Sequence, residues 1–251
     1  MWSGLLSGAA RVATGSGGEL GAEQAEIQRL AISWRPPEPQ DVVALAAERS
    51  QRYVARGDQL LEAVVEAIES IQADLDGDPG AARDLWDHSE GEYRPAAEPQ
   101  ATGWLQRRLR DKLTGERGIV FHREVEVVPA PGPQLGQRDD IHVTAVVQPA
   151  NGAAEQLRTI VEVKGCWHPD VETALENQLV GEYMLQTATP YGVYVVVWFE
   201  SDRWADTDRR REACARRDRE AMLAALNEQA RALELRHGIL LRVAGLVVRL
   251  T

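Results

Sequence analysis

Gln137-Arg138-Asp139-Asp140-Ile141-His142-Val143, and further on Thr159-Ile160-Val161-Glu162-Val163-Lys164-Gly165, are the two pieces of sequence on which the fold turns. Both read as strands. The second alternates with period two, so Val161 and Val163 point to one face while Glu162 and Lys164 point to the other. A carboxylate and an ammonium at the end of an apolar strand are costly unless something uses them. The first piece brings Asp140 to the start of a hydrophobic strand. If the strands pair, Asp140, Glu162 and Lys164 converge. Two carboxylates at one spot repel, and a hard divalent cation with oxygen ligands relieves that repulsion. A lysine beside it can orient or deprotonate a water. The pattern points to metal-assisted hydrolysis of a phosphodiester.

Working outward, the spacing predicts a helix at Trp104–Leu113, its apolar positions interleaved with Arg107, Arg108, Arg110 and Lys112. A strand follows at Ile119–Val128, then a Pro/Gly turn at Pro129–Pro133, the Asp140–Val147 strand, a loop marked by Pro149, Asn151 and Gly152, and the returning strand Arg158–Lys164. Val171–Thr187 reads as a helix, Gly192–Phe199 as a strand, Arg209–Arg236 as one long helix and Ile239–Leu250 as a last strand. The αβββαβ order predicts an α/β protein with a mixed central sheet flanked by helices. Val193-Tyr194-Val195-Val196-Val197-Trp198 is apolar on both faces, as a central strand of such a sheet should be.

Upstream, residues 1–35 begin Gly/Ala/Ser-rich, and Pro36, Pro37 and Pro39 make a break. From Asp41 to Leu75 the spacing is helical, with Leu61, Val64, Val65, Ile68, Ile71 and Leu75 on one stripe and Gly57 a candidate divider. Residues 77–102, with Gly77, Asp78, Pro79, Gly80, Pro95 and Pro99, read as a linker, which Trp86 and Trp104 could pin to the surface. The expected organisation is an acidic helical segment and linker over 1–97 and an α/β domain over 98–251. Charge follows this division: residues 1–100 hold 18 acids against 8 Lys+Arg, and residues 101–251 hold 21 against 20. The net charge of −11 therefore does not exclude a nucleic-acid partner, though it argues against a long nonspecific footprint. No apolar run reaches the length of a membrane span, and the N-terminus lacks a basic region before its apolar patch, so neither a membrane partner nor a signal peptide is expected. The two cysteines, Cys166 and Cys214, have no metal-ligand spacing and are expected as reduced thiols in a cytoplasmic protein.

Helix, strand, acid at a strand start, and Glu-x-Lys on the next strand together resemble the PD-(D/E)XK nuclease superfamily over roughly residues 98–200. Here the motif is written Asp139-Asp140-Ile141, then Val161-Glu162-Val163-Lys164. The family's proline before the acid is absent, Asp139 standing in its place, which leaves Asp139 or Asp140 as the ligand, with Asp140 preferred. The resemblance implies a restriction-endonuclease-like fold. It also implies that Asp140, Glu162 and the Val163 carbonyl bind Mg²⁺ or Mn²⁺, and that Lys164 positions the attacking water. The implied activity is a metal-dependent DNA endonuclease working as an effector module in bacterial restriction or anti-phage defence. RNA is not separable as a substrate by sequence, and the N-terminal helices could serve a partner protein or self-association. The competing expectation is a non-catalytic binding or assembly protein that keeps the fold.

Many relatives place a glutamate on the first core helix as a further metal ligand, and Glu98, just before the predicted helix, is the candidate. RecB-like members carry a Gln and a Tyr on the helix after the Glu-x-Lys. Gln178 and Tyr183 stand there, but five residues subtend about 140° on an α-helix, so they should not share a face. Gln178 is assigned to DNA contact and Tyr183 to the core. Arg107, Arg108 and Arg110 are assigned to phosphate contacts. His142 shares a face with Asp140 and, like His168, is at most an accessory, while Arg209–Arg219 reads as a solvated helix face laced with i,i+4 pairs.

Overall fold

The structure, a computed structural model, describes residues 54–89, 91–113, 119–123, 126–128, 137–138, 141–147 and 154–250. By contact density the chain divides into Met1–Arg49, which lies outside the described residues, and Ser50–Thr251. The second unit is a mixed α/β structure built on one five-stranded sheet. Its strands are β3 (Ile119–Arg123), β6 (Ile141–Val147), β7 (Glu155–Gly165), β8 (Tyr191–Glu200) and β9 (Leu240–Arg249), side by side in that order. β3, β6 and β7 are antiparallel neighbours, whereas β7, β8 and β9 run parallel. The Glu-x-Lys strand β7 is thus the middle strand. β8, apolar on both faces, is buried along nearly its whole length, as its composition requires.

Helices cover both faces. Tyr191 and Gly192 are neighbours on β8 and point opposite ways. Tyr191 lies against Gly57 at the start of helix α1 (Gly57–Gly77), and a Cβ on Gly57 would fall 2.0 Å from the tyrosine ring. Gly192 lies against Met184 of a π-helix, π1 (Leu175–Met184), where an added Cβ would meet the sulfur at 2.5 Å. α1 also touches helix α3 (Glu98–Leu113), and π1 touches helix α5 (Arg219–His237), so the sheet lies between two helical layers. The α1 stripe is buried through Leu60, Leu61, Val64, Ile68, Ile71 and Leu75, while Val65 is half-buried. Its partners are β7, β8 and β9, so residues 57–77 share a core with residues 98–251 rather than standing apart from them.

Several sequence expectations change here. Residues 77–102 are structured, not linker: Asp78 caps the short helix α2 (Pro79–Arg83) by accepting from the Gly80 N–H at 2.8 Å, with Pro79 at the first position where its missing N–H costs nothing. A hairpin of β1 (Trp86–Ser89) and β2 (Glu92–Pro95) follows, turning at Gly91 with φ 84°. The strand expected over Ile119–Val128 is two: β3, and β4 (Glu126–Val128), which pairs with β5 (Gln137–Arg138) outside the main sheet. The long C-terminal helix is also two, α4 (Arg209–Ala215) and α5, each capped by its own aspartate. Asp208 accepts from the Arg210 N–H and Asp218 from the Ala221 N–H.

The cysteines are corrected as well. Cys166, directly after β7, and Cys214 in α4 form a disulfide, with their α-carbons 5.5 Å apart. Cys166 is fully buried and Cys214 nearly so. Among the described residues no helix is long and apolar enough to cross a membrane.

Asp208 ties α4 to the rest of the fold. Burial pushes its carboxyl up, but hydrogen bonds from the Arg210 guanidinium and Trp204 Nε1 outweigh that and hold it below its ordinary value. A carboxyl lowered in the folded state stabilises the fold above its unfolded pKa of about 3.9, and that contribution disappears as pH falls through the folded value. Asp208→Asn should therefore be less stable than the parent at neutral pH, with the gap closing towards about pH 2. Urea midpoints measured against pH check this, and a gap that widens in acid would contradict it.

Candidate active site

Glu162 and Lys164 lie two apart on β7 and share the face that Ile160 and, across the pairing, Tyr194 also occupy. The middle of a sheet is an expensive place for charge, and Glu162 is 1% exposed. The lysine answers it: Lys164 Nζ is 2.8 Å from Glu162 Oε1, an ion pair made off the angles of a hydrogen bond. Lys164 Nζ also donates to Glu98 Oε1 at 3.0 Å, here with hydrogen-bond geometry.

Glu98 comes from a different element. α3 starts earlier than its apolar pattern suggests, so Glu98 sits inside its first turn rather than before it. Pro99 suits that turn, and Gln100 reaches back to accept from the Ala97 N–H at 2.9 Å, which fixes where the helix begins. An acid there also complements the helix dipole. The second oxygen of Glu98 accepts from the Gly165 N–H at 3.4 Å, so its carboxylate grips the end of β7 from two sides.

Asp139 and Asp140 lie outside the described residues. Ile141, next in the chain after Asp140, pairs with Val161, next before Glu162. Val163 is buried on the opposite face of β7. Among the described residues no group of three or more His, Cys, Asp or Glu gathers closely enough to hold a metal ion. Glu98 and Glu162 supply two carboxylates whose oxygens each lie within 3.0 Å of one cationic nitrogen. Those donors fit part of an oxygen-ligand site for a hard divalent cation.

The other assigned residues fare unevenly. Arg107 and Arg110 are exposed, and Arg108 lies over the Trp104 ring at 5.4 Å. Nine residues along α3, Arg107 faces about 180° away from Glu98 and roughly 14 Å down the axis, so the helix does not bring it to the carboxylates. Gln178 is half-buried in π1, and its Oε1 has no hydrogen-bond partner among the described residues. Tyr183 is buried. The expectation that these two diverge is corrected, because the π-helix bonds residue i to i+5 and sets Tyr183 above Gln178. His142 is buried, opposite Ile160 on the neighbouring strand. His168 accepts from the Asp170 N–H through Nδ1, which makes it part of its own turn.

The arginine run is stitched into the fold. Arg210 donates to Asp208 and to the Pro95 carbonyl, and Arg217 donates to the Cys166 carbonyl and lies 3.6 Å from Glu172. Arg211 pairs with Asp206 and Arg219 with Glu200, so Arg216–Glu212 is the i,i+4 pair among these contacts. Sequence reading missed the residue that shapes the exit of β7: Trp167 folds back on Gly165, where an added Cβ would fall 2.7 Å from its ring. Its ring also meets Phe199 and lies beneath the Arg210 guanidinium. Gly165→Ala should cost about 1–3 kcal/mol, the usual range for overpacking, measured by urea unfolding. An unchanged midpoint would mean that the ring does not hold this position.

Comparison with family models, with curated proteins and with solved structures finds no match for this chain.

Proposed function

We propose that this chain is a metal-dependent DNA endonuclease with a restriction-endonuclease-like fold, hydrolysing phosphodiesters by attack of an activated water. The observation that carries the reading is the meeting of Glu162 and Lys164, two apart on the middle strand of the sheet, with Glu98 from the first turn of α3. A buried ionic cluster of this kind is weak evidence for stability, since apolar residues in its place often do as well or better. A chemical role accounts for it more simply. The element order from α3 through β8 supports the fold assignment, with β4 and β5 as an insertion.

Glu162, Asp140, the Val163 carbonyl and Glu98 would hold Mg²⁺ or Mn²⁺. Such an ion supplies a water of lowered pKa and screens the phosphate charge. Lys164 brings a positive donor to the phosphate oxygens, and Glu98 keeps its stem aligned with the end of β7. Gln178 would contact the nucleic acid from π1. Arg107, Arg108 and Arg110, remote from the carboxylates, would touch the phosphate backbone away from the cut. The role in restriction or anti-phage defence rests on the family resemblance. That role would put the protein in the cytoplasm, a location against which the Cys166–Cys214 disulfide counts.

Incubation of supercoiled plasmid with the protein and Mg²⁺ or Mn²⁺ tests this. Nicked or linear DNA should form and should vanish with EDTA. Cleavage of RNA alone would redirect the substrate, and the absence of any cleavage would contradict the reading.

A further inference from the structure

This chain almost avoids lysine. Of its 28 Lys+Arg, only Lys112 and Lys164 are lysines. Apart from Lys112–Asp74 and the pairs of Lys164, arginine makes the ion pairs among the described residues, as in Arg210–Asp208, Arg242–Glu62 and Arg249–Asp76. A guanidinium is a planar fork suited to one carboxylate, whereas an ammonium is a compact point charge on a flexible stem. At position 164 the cation sits between two carboxylates from different elements, 3.0 Å from Glu98 Oε1 and 2.8 Å from Glu162 Oε1. A divalent metal is also a point charge that prefers such oxygens.

The two acids are held independently of the lysine. Glu162 is buried on the middle strand, and Glu98 is fixed by the α3 cap and by the Gly165 N–H. The link with torsional freedom is the four-carbon stem of Lys164. We propose that the Lys164 ammonium is a built-in counter-ion occupying the cation position between Glu98 and Glu162, which a divalent metal must displace. This rests on the nuclease reading and adds a regulatory consequence. Metal binds weakly to the free protein and more strongly once a substrate phosphate draws the ammonium away, so the site is armed by its substrate.

The test uses the full chain and Mn²⁺. Affinity is read from melting temperature against Mn²⁺ concentration for the parent, Lys164→Met and Lys164→Arg. Lys164→Met should bind at least about tenfold more tightly than the parent, since a competing charge at contact distance has gone. Lys164→Arg, which keeps the charge, should stay near the parent. Equal or weaker binding by Lys164→Met overturns the proposal.

Should Lys164→Met not fold, the parent alone decides. Its lysines are acetylated with acetic anhydride with and without Mn²⁺ and quantified by peptide mass spectrometry. Lys164 should react several-fold faster with Mn²⁺, while Lys112, paired with Asp74 at the surface, serves as the control. Mn²⁺ binding with unchanged Lys164 reactivity overturns the counter-ion role and leaves the nuclease reading standing. No Mn²⁺ binding by any folded form overturns both.

Discussion

Lys164→Met should lower metal-dependent DNA cleavage by roughly 100- to 1,000-fold, the range seen when one preorganised donor to a developing charge is removed. The structure adds a warning about how to read that loss. Lys164 is 8% exposed and carries the positive charge shared by two acids, so its removal should also destabilise the metal-free fold by on the order of 3 kcal/mol. Activity must therefore be compared per folded molecule, by circular dichroism at the assay temperature, and the variant should regain much of its stability on adding Mn²⁺. Activity within about threefold of the parent would remove Lys164 from the chemistry, since donors of this kind are worth far more. Tighter metal binding with slower cleavage is the combination expected, and a purely structural lysine would not produce it.

The second large effect concerns the disulfide. Cys166 and Cys214 are 48 residues apart, and closing a loop of that size is worth up to about 4 kcal/mol in the chain-entropy account. Cys214→Ser, or full reduction under denaturing conditions and refolding, should lower the melting temperature by about 10 °C for a domain of this size. Free-thiol titration of the unfolded parent should find no reactive sulfhydryl before reduction. Two titratable thiols and an unshifted Cys214→Ser melt would show that the bridge does not form in solution. Because Cys166 lies two residues beyond Lys164, a loosened β7 exit should also show as faster hydrogen exchange at Gly165 and Cys166.

What the sequence revealed, and what it hid, follows from the physics of each element. β7 and β8 were legible as strands from period-two alternation in one and unbroken apolarity in the other, although the alternating Glu162 and Lys164 are buried and not on an open face. The α1 stripe was legible for the same reason. The Glu98 position could be read from a first-turn acid, but Pro99 hid the helix start, although a proline is welcome there.

The break between α4 and α5 had a signal that was passed over: Asp208 and Asp218 are both capping residues at the head of a helical run. π1 left no such trace, because its buried Leu175, Leu179, Val180, Tyr183 and Met184 also fit an α-helical stripe. The i to i+5 bonding of the π-helix is what turns the five-residue gap between Gln178 and Tyr183 from a mismatch into a neighbourhood. The disulfide could not be read from two isolated cysteines, because their meeting depends on where α4 docks, through Trp204, Asp208 and Arg210, and not on any local pattern.

The most direct measurement is the anomalous difference map of a crystal soaked in Mn²⁺. A peak at oxygen-ligand distance, about 2.0–2.6 Å, from a Glu162 carboxylate oxygen, with the Lys164 ammonium moved off that position, is the expected result. A map with Lys164 still lodged between Glu98 and Glu162, and manganese bound only elsewhere or not at all, would contradict it.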